Sequence, residues 1–313
     1  MIKILITGPL GQDGILLTEI IQEDYELHGV CRMMTPIERL KEHNKKFNIN
    51  LCLSELSDFN YVNQLIKTIK PDVVVNFAGE TDVINPWEDT YRTFEHNYII
   101  PSNILNSIVK QNKDIFFFQA SSSLMYGRSN EKIITEESKT SPMYPYGISK
   151  LAVHNLMSEY RIKYGIKCSS GIFFNHESYY RSDKFVSKKI SSLVGQIIKG
   201  ENKKIKLYGL NFNRDISHAK DFMSGVKLII DNKINDDFVF SSGVSTNMFE
   251  FAKKFFTLHN LNFYDYIDYE ESKNLSIDYN IIGNNFKLKS IGWEPKYNVD
   301  ELIIDMIKKE LKK

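Results

Sequence analysis

Short apolar runs alternate with longer stretches of helical periodicity through the first half of the chain. Lys3–Thr7, Glu26–Cys31, Val73–Phe77, Ile115–Ala120 and Lys167–Phe173 read as buried strands. Between them, Gly14–Glu23, Asn60–Lys70, Trp87–Gln111 and Pro145–Tyr164 carry apolar residues at helical spacing. This alternation predicts the α/β class, with a doubly wound parallel sheet. Right-handed crossovers gather the strand C-termini on one edge, so Thr7, residues 76–80 and residues 120–123 are expected on one rim.

After Phe174 the alternation weakens. Helical patterns at Phe185–Lys199, His218–Asn232, Asn247–Leu258 and Val299–Lys312 follow with few strands between them. The expected organisation is a nucleotide-binding domain over residues 1–174 and a smaller C-terminal lobe over residues 175–313. Some chain should return to the sheet near Asp237–Ser241. A chain of 313 residues with 42% hydrophobic content is long enough for both.

Forty lysines and arginines face 39 acids, so no global field points to nucleic acid or a membrane surface. An anionic ligand must be held by local groups. Three cysteines, Cys31, Cys52 and Cys168, lack metal-ligand spacing and fit a reduced, cytoplasmic setting with no metal. The apolar N-terminus runs straight into a glycine loop and reads as a first strand, not a signal peptide. No stretch has the length of a membrane span.

Candidate chemistry begins at that loop. Gly8, Gly11 and Gly14 follow a strand and open a helix. Gly8 suits a tight turn, Gly11 lets backbone approach a pyrophosphate, and Gly14 allows close helix–strand contact at a helix N-terminus rich in amide donors. An acid after the second strand would bind ribose hydroxyls and an arginine cluster a phosphate, yet the chain has Arg32-Met33 there. Tyr146 and Lys150 are four apart and share a helix face, where an ammonium stabilises a phenolate. In a chain with 17 tyrosines that pair alone is weak. Pro145 opening the helix and the serine-rich end of the fifth strand strengthen it.

The runs Gln119-Ala-Ser-Ser-Ser-Leu-Met-Tyr-Gly127, Tyr144-Pro-Tyr-Gly-Ile-Ser-Lys150 and Gly11-Gln-Asp-Gly14 together resemble the extended short-chain dehydrogenases/reductases, a Rossmann family, and within it the GDP-mannose 4,6-dehydratases. The resemblance covers nearly the whole chain, ending with Ile291-Gly-Trp-Glu-Pro295. It implies catalysis by Ser122, Tyr146 and Lys150, with Ser121 and Ser123 as neighbouring hydroxyls. It implies cofactor contacts from Gly8, Gly11, Gln12, Asp13, Gly14, Arg32, Glu55, Leu56, Ala78, Gly79, Glu80 and Asn97, with Tyr146 and Lys150 at the nicotinamide end. Only Arg32 survives of the paired arginines common in the family, which implies NAD in preference to NADP. On the substrate side the resemblance implies contacts from Thr81 and Ser123, Asn175 and Glu177 on sugar or nucleotide, Val186 and Lys189 at the guanine, and Arg214 on the diphosphate. His218, Lys220 and Asp221 are expected to hold the fold, and the basic run near residues 199–206 to be a solvated face. Lys273-Asn274 stand where an Arg-Pro pair is expected. Tyr179 and Tyr180 replace a Pro-Arg before Arg181, which implies a sugar other than mannose.

The departure at Leu124 carries the functional reading. The dehydratases read Ser-Thr-Ser-Glu-Leu-Tyr-Gly here, and the Glu removes the proton from sugar C5 so that water can leave. Leucine neither accepts nor donates a proton, and no acid follows before Glu131. The expectation is NAD-dependent oxidation at C4 of a GDP-linked hexose or heptose without dehydration, with GDP-manno-heptose for bacterial surface or capsule polysaccharide as the favoured substrate. GDP-heptose 4-dehydrogenases are similar in pattern. Alternatives are a GDP-sugar 4-epimerase, a dehydratase whose base is relocated to Glu80, Asp82 or Glu177, and a non-catalytic dinucleotide-binding scaffold. The helices at Trp87–Gln111 and Pro145–Tyr164 suggest a homodimer or homotetramer.

Overall fold

The structure is a computed structural model and describes residues 1–80, 87–271 and 280–312. The chain runs β1 (Lys3–Thr7), α1 (Gln12–Ile21), β2 (Glu26–Cys31), α2 (Ile37–Asn44), β3 (Asn50–Leu53), α3 (Phe59–Ile69) and β4 (Val73–Asn76). It continues through α4 (Thr90–Phe94), a π-helical turn (Glu95–Ile99), α5 (Ile100–Gln111), β5 (Phe116–Ser122), a 3-10 turn (Ser123–Met125), β6 (Ile133–Ile134), α6 (Pro145–Tyr164) and β7 (Cys168–Phe173). Then come β8 (Asn175–Glu177), α7 (Val186–Ile198), β9 (Ile205–Tyr208), β10 (Asn213–His218), α8 (Ala219–Asn232) and β11 (Phe238–Phe240). The remainder is β12 (Ser245–Asn247), α9 (Met248–Thr257), α10 (Phe263–Tyr266), β13 (Ile267–Glu270), β14 (Ile282–Gly283), α11 (Phe286–Ser290) and α12 (Val299–Leu311).

Two compact units result. The first holds Met1–Asn130, Glu136–Phe173 and Met223–Val239; the second holds Glu131–Thr135, Phe174–Phe222 and Phe240–Lys313. The main sheet has the order β11-β7-β5-β4-β1-β2-β3, and its pairings from β3 to β7 are parallel. The order reverses between β1 and β4, the switch point where a doubly wound sheet opens a crevice. This is the expected α/β fold, and β11 supplies the expected return to the sheet. Leu5, Val30, Val74 and Phe117 form a core with Ile104, Ile108 and Met157 from the helices.

Two expectations need correction. The helix expected over Trp87–Gln111 starts only at Thr90 and is interrupted by the π turn at Glu95–Ile99. One extra residue in a turn leaves the apolar spacing on either side readable as one helix. Furthermore, the sparse-strand reading of the second half missed three small sheets: β12-β10-β8, β13-β9 and β14-β6. Their strands are two to six residues long, too short to show alternation. β3 and α2 were missed as well, β3 for its exposed to half-buried pattern and α2 for its polar sequence. The second unit's own core joins Ile190 and Val194 of α7, Phe251 and Phe255 of α9, and Leu302 and Met306 of α12. Among the described residues no helix is long and apolar enough to cross a membrane, and no group of three potential metal ligands occurs.

Candidate active site

Gly8 has φ +69°, a conformation that a side chain would strain. A Cβ on Gly14 would lie 2.4 Å from the Gly8 carbonyl oxygen, so α1 can pack this close to the loop only through glycine. Gly11 differs. A Cβ there would meet nothing nearer than the Gly8 oxygen at 3.4 Å, so its face is open to a ligand. Gly11 also caps α1 without a side-chain hydrogen bond, and the amide-rich first turn of a helix suits an anion. The loop thus fits a dinucleotide pyrophosphate.

Arg32 and Glu55 are exposed just beyond the ends of β2 and β3, with Glu55 accepting from Ser57 Oγ at 3.0 Å. Leu56 is instead buried in the core, so its side chain packs the sheet. Past β4, the Ala78 N–H donates to Thr7 Oγ1 at 3.1 Å and Gly79 is exposed. Asn97 is buried: its Oδ1 accepts from Glu80 N at 3.1 Å and its Nδ2 donates to Glu80 O at 3.0 Å. It therefore clasps the loop backbone, and the π turn is what carries it. Thr81, Asp82 and Lys273-Asn274 lie outside the described residues.

Tyr146 and Lys150 lie on the first turns of α6, opened by Pro145. Lys150 Nζ is 5.7 Å from the Tyr146 ring centroid and donates to the Ala120 carbonyl at 2.8 Å. Burial pulls this ammonium down from the ordinary lysine value to about 8, against an upward pull from Asp13. Ser122, the last residue of β5, accepts from Leu124 N at 3.2 Å. Of its neighbours, Ser121 turns its hydroxyl toward Met125 Sδ at 3.7 Å, and Ser123 is buried at the start of the 3-10 turn. The turn is tied to the approach to α6. Ser141 N donates to Met125 O at 3.1 Å, and Arg128 N to Ser141 O at 2.9 Å. A Cβ on Gly147 would lie 2.5 Å from the Leu124 carbonyl oxygen. Leu124 therefore sits against the residue that follows Tyr146.

Two of the three carboxylates considered as relocated bases can be placed, and both are engaged. Glu80 Oε2 is 3.2 Å from Arg92 Nε. Glu177 Oε2 accepts from Ser187 Oγ at 2.6 Å and lies 3.3 Å from Arg181 Nε.

In the second unit, Asn175 is exposed on β8 and Lys189 is exposed on α7, with Val186 half-buried on the first turn. Arg214, on β10, stacks on Phe212 at 4.4 Å and donates to Asn213 O at 2.9 Å. His218 accepts from Lys220 N at 3.0 Å, and Asp221 receives Lys296 N at 2.9 Å, Tyr297 N at 3.1 Å and, on its carbonyl, Trp293 Nε1 at 2.8 Å. These bonds hold the fold.

The GDP-mannose 4,6 dehydratase family model matches residues 5–306. The chain belongs to that family. It is 31% identical to GDP-mannose 4,6 dehydratase 1 of Arabidopsis thaliana over 98% of this chain and 89% of that protein. A GDP-mannose 4,6-dehydratase of Sordaria araneosa is 28% identical over 96% of this chain, which spans only 60% of that longer protein. Among solved structures, a dTDP-glucose 4,6-dehydratase from Bacillus anthracis in complex with NAD superposes with a TM-score of 0.83 at 21% identity, over 98% of this chain and 96% of the other. Sequence reasoning overlooked one feature of this dehydratase-family site. Asn76 and Gln119 are buried amides bonded to each other at 2.7 Å behind Lys150. Their signal was an amide ending the apolar run of β4 and another following the three phenylalanines of β5.

Proposed function

We propose that this chain oxidises C4 of a GDP-linked sugar, with GDP-manno-heptose as the favoured substrate, and releases a 4-keto sugar that keeps its C6 oxygen. One observation carries the reading. Where a proton acceptor for C5 would be needed, Leu124 occupies the turn against Gly147, and the placed substitutes Glu80 and Glu177 are held by Arg92 and by Ser187 with Arg181.

A nicotinamide dinucleotide, NAD in preference to NADP, would be held by Gly8, Gly11, Gln12, Asp13, Gly14, Arg32 and Glu55, with the Ala78–Gly79 turn and Lys150 toward its nicotinamide half; bound there, it supplies the hydride acceptor. Tyr146 takes the C4 hydroxyl proton and passes it on to solvent. Lys150 stabilises the phenolate, and Ser122 holds the reacting oxygen through its hydroxyl. Arg214 and Lys189 would hold the diphosphate and guanine, with Asn175 toward the sugar. Bookkeeping closes: the sugar loses one hydride and one proton, and no C–O bond breaks.

Turnover of a GDP-linked heptose in heavy water, followed by proton NMR during the reaction, tests this. Enzymic deuterium incorporation at C5 is expected to be absent. Incorporation at the rate of turnover would restore a C5 base and contradict the reading, and an inverted C4 hydroxyl would make the chain an epimerase.

A further inference from the structure

The buried amides behind the site take no part in the chemistry just described. Thr7, Asn76 and Gln119 stand in one register-matched row across β1, β4 and β5, and all three are withdrawn from solvent. Polar side chains at such positions cost stability unless bonded. Here each is bonded, and every donor points the same way. The Ala78 N–H donates to Thr7 Oγ1, Thr7 Oγ1 to Asn76 Oδ1, Asn76 Nδ2 to Gln119 Oε1, and Gln119 Nε2 to the Ala120 carbonyl at 2.8 Å. The same carbonyl accepts the Lys150 ammonium at 2.8 Å.

Ala120 lies one residue past the last β4–β5 pair, Asn76 with Gln119, so its carbonyl stands beyond the strand ladder on that side. A carbonyl oxygen has two lone pairs. Gln119 occupies one and leaves the other to Lys150. Because Asn76 binds the oxygen of the Gln119 amide, that amide must present N–H to Ala120. We infer that Gln119, oriented by Asn76, is a positioning residue for Lys150, fixing the carbonyl that sets where the ammonium sits beside Tyr146. Among the described residues, the titratable groups that reach Lys150 are Asp13 from α1 and Tyr146 on its own helix.

Gln119→Met keeps length and burial and removes both bonds. Two readouts separate positioning from support of the fold. The first is the pH dependence of unfolding of the unliganded protein, taken as a difference from the same background carrying Lys150→Met. In the native sequence that difference should change from about pH 8 upward, where the buried lysine loses its proton. In Gln119→Met the window should move up toward the ordinary lysine range by about half a pH unit or more. The second is turnover: kcat should fall about ten- to hundredfold with NAD affinity by calorimetry within about threefold. Gln119→Leu, which also removes both bonds and adds no charge beside the ammonium, carries the same expectations should the Met variant fail to fold. A pH-uniform loss of stability with the window in place, and kcat within about twofold of the native value, would overturn the proposal. Only the turnover readout rests on the proposed oxidation. If the native chain oxidises no GDP-sugar, that reading fails while the stability window still decides this one.

Discussion

In the proposed oxidation one side chain, at position 124, separates two chemistries, because an alkyl group cannot collect a proton. Leu124→Glu should therefore restore part of the lost step. With the GDP-sugar substrate and NAD, mass spectrometry should find a fraction of product lighter by one water; a variant that yields only the native product would show that the carboxylate alone is insufficient. Lys150 gives a second test, through pH. Its folded value, near 8, lies below the ordinary lysine value, so the unfolded chain binds its proton more tightly. The charged form thus costs stability in full below about pH 8, and the cost is relieved as pH rises from there toward 10.5. Lys150→Met should abolish oxidation yet stabilise the unliganded protein at pH 7 by on the order of 2 kcal/mol, with the gain shrinking toward pH 10. Thermal melts across that range check the sign, and a destabilised variant at pH 7 would contradict it. Tyr146, Lys150 and Ser122 stand out as candidates from spacing and resemblance. The Asn76–Gln119 pair does not, because an amide in one strand does not reveal its partner on the neighbouring strand.

The elements fix the distances that those residues use. The 3-10 turn at Ser123–Met125 and the first turn of α6 meet where Gly147 has no side chain. Gly147→Ala would place a methyl 2.5 Å from the Leu124 oxygen, so one of the two turns must shift. Such overpacking costs about 1–3 kcal/mol, and the moved turn carries Ser122 or Tyr146 with it. The expected result is a lower melting temperature together with a fall in kcat larger than any change in NAD affinity; unchanged kcat would show that the contact does not set the site. The strands of the first unit were legible because burial on both faces gives continuous apolar runs. The π turn at Glu95–Ile99 was not, although it places the Asn97 amide on the Glu80 backbone.

For the whole molecule, the two compact units carry different assignments: Ser122, Tyr146 and Lys150 belong to the first, and Lys189 and Arg214 to the second. Arg214→Ala should weaken GDP binding about tenfold or more, as loss of a charge-assisted phosphate contact does, and leave NAD binding nearly intact. Calorimetry with GDP and with NAD checks this, and equal losses would remove Arg214 from the diphosphate. The parallel α/β sheet and the family were readable from the alternation and the motifs. The division into units was less so, because residues 131–135 and 223–239 leave their sequence neighbours for the opposite unit. The central claim, oxidation without dehydration, is tested most directly by the mass of the product formed from GDP-manno-heptose and NAD, read together with nicotinamide absorbance. The account predicts a product lighter by two hydrogen atoms, with one equivalent of reduced cofactor formed for each sugar oxidised. A product lighter by one water, with no net reduction of the cofactor, would contradict it.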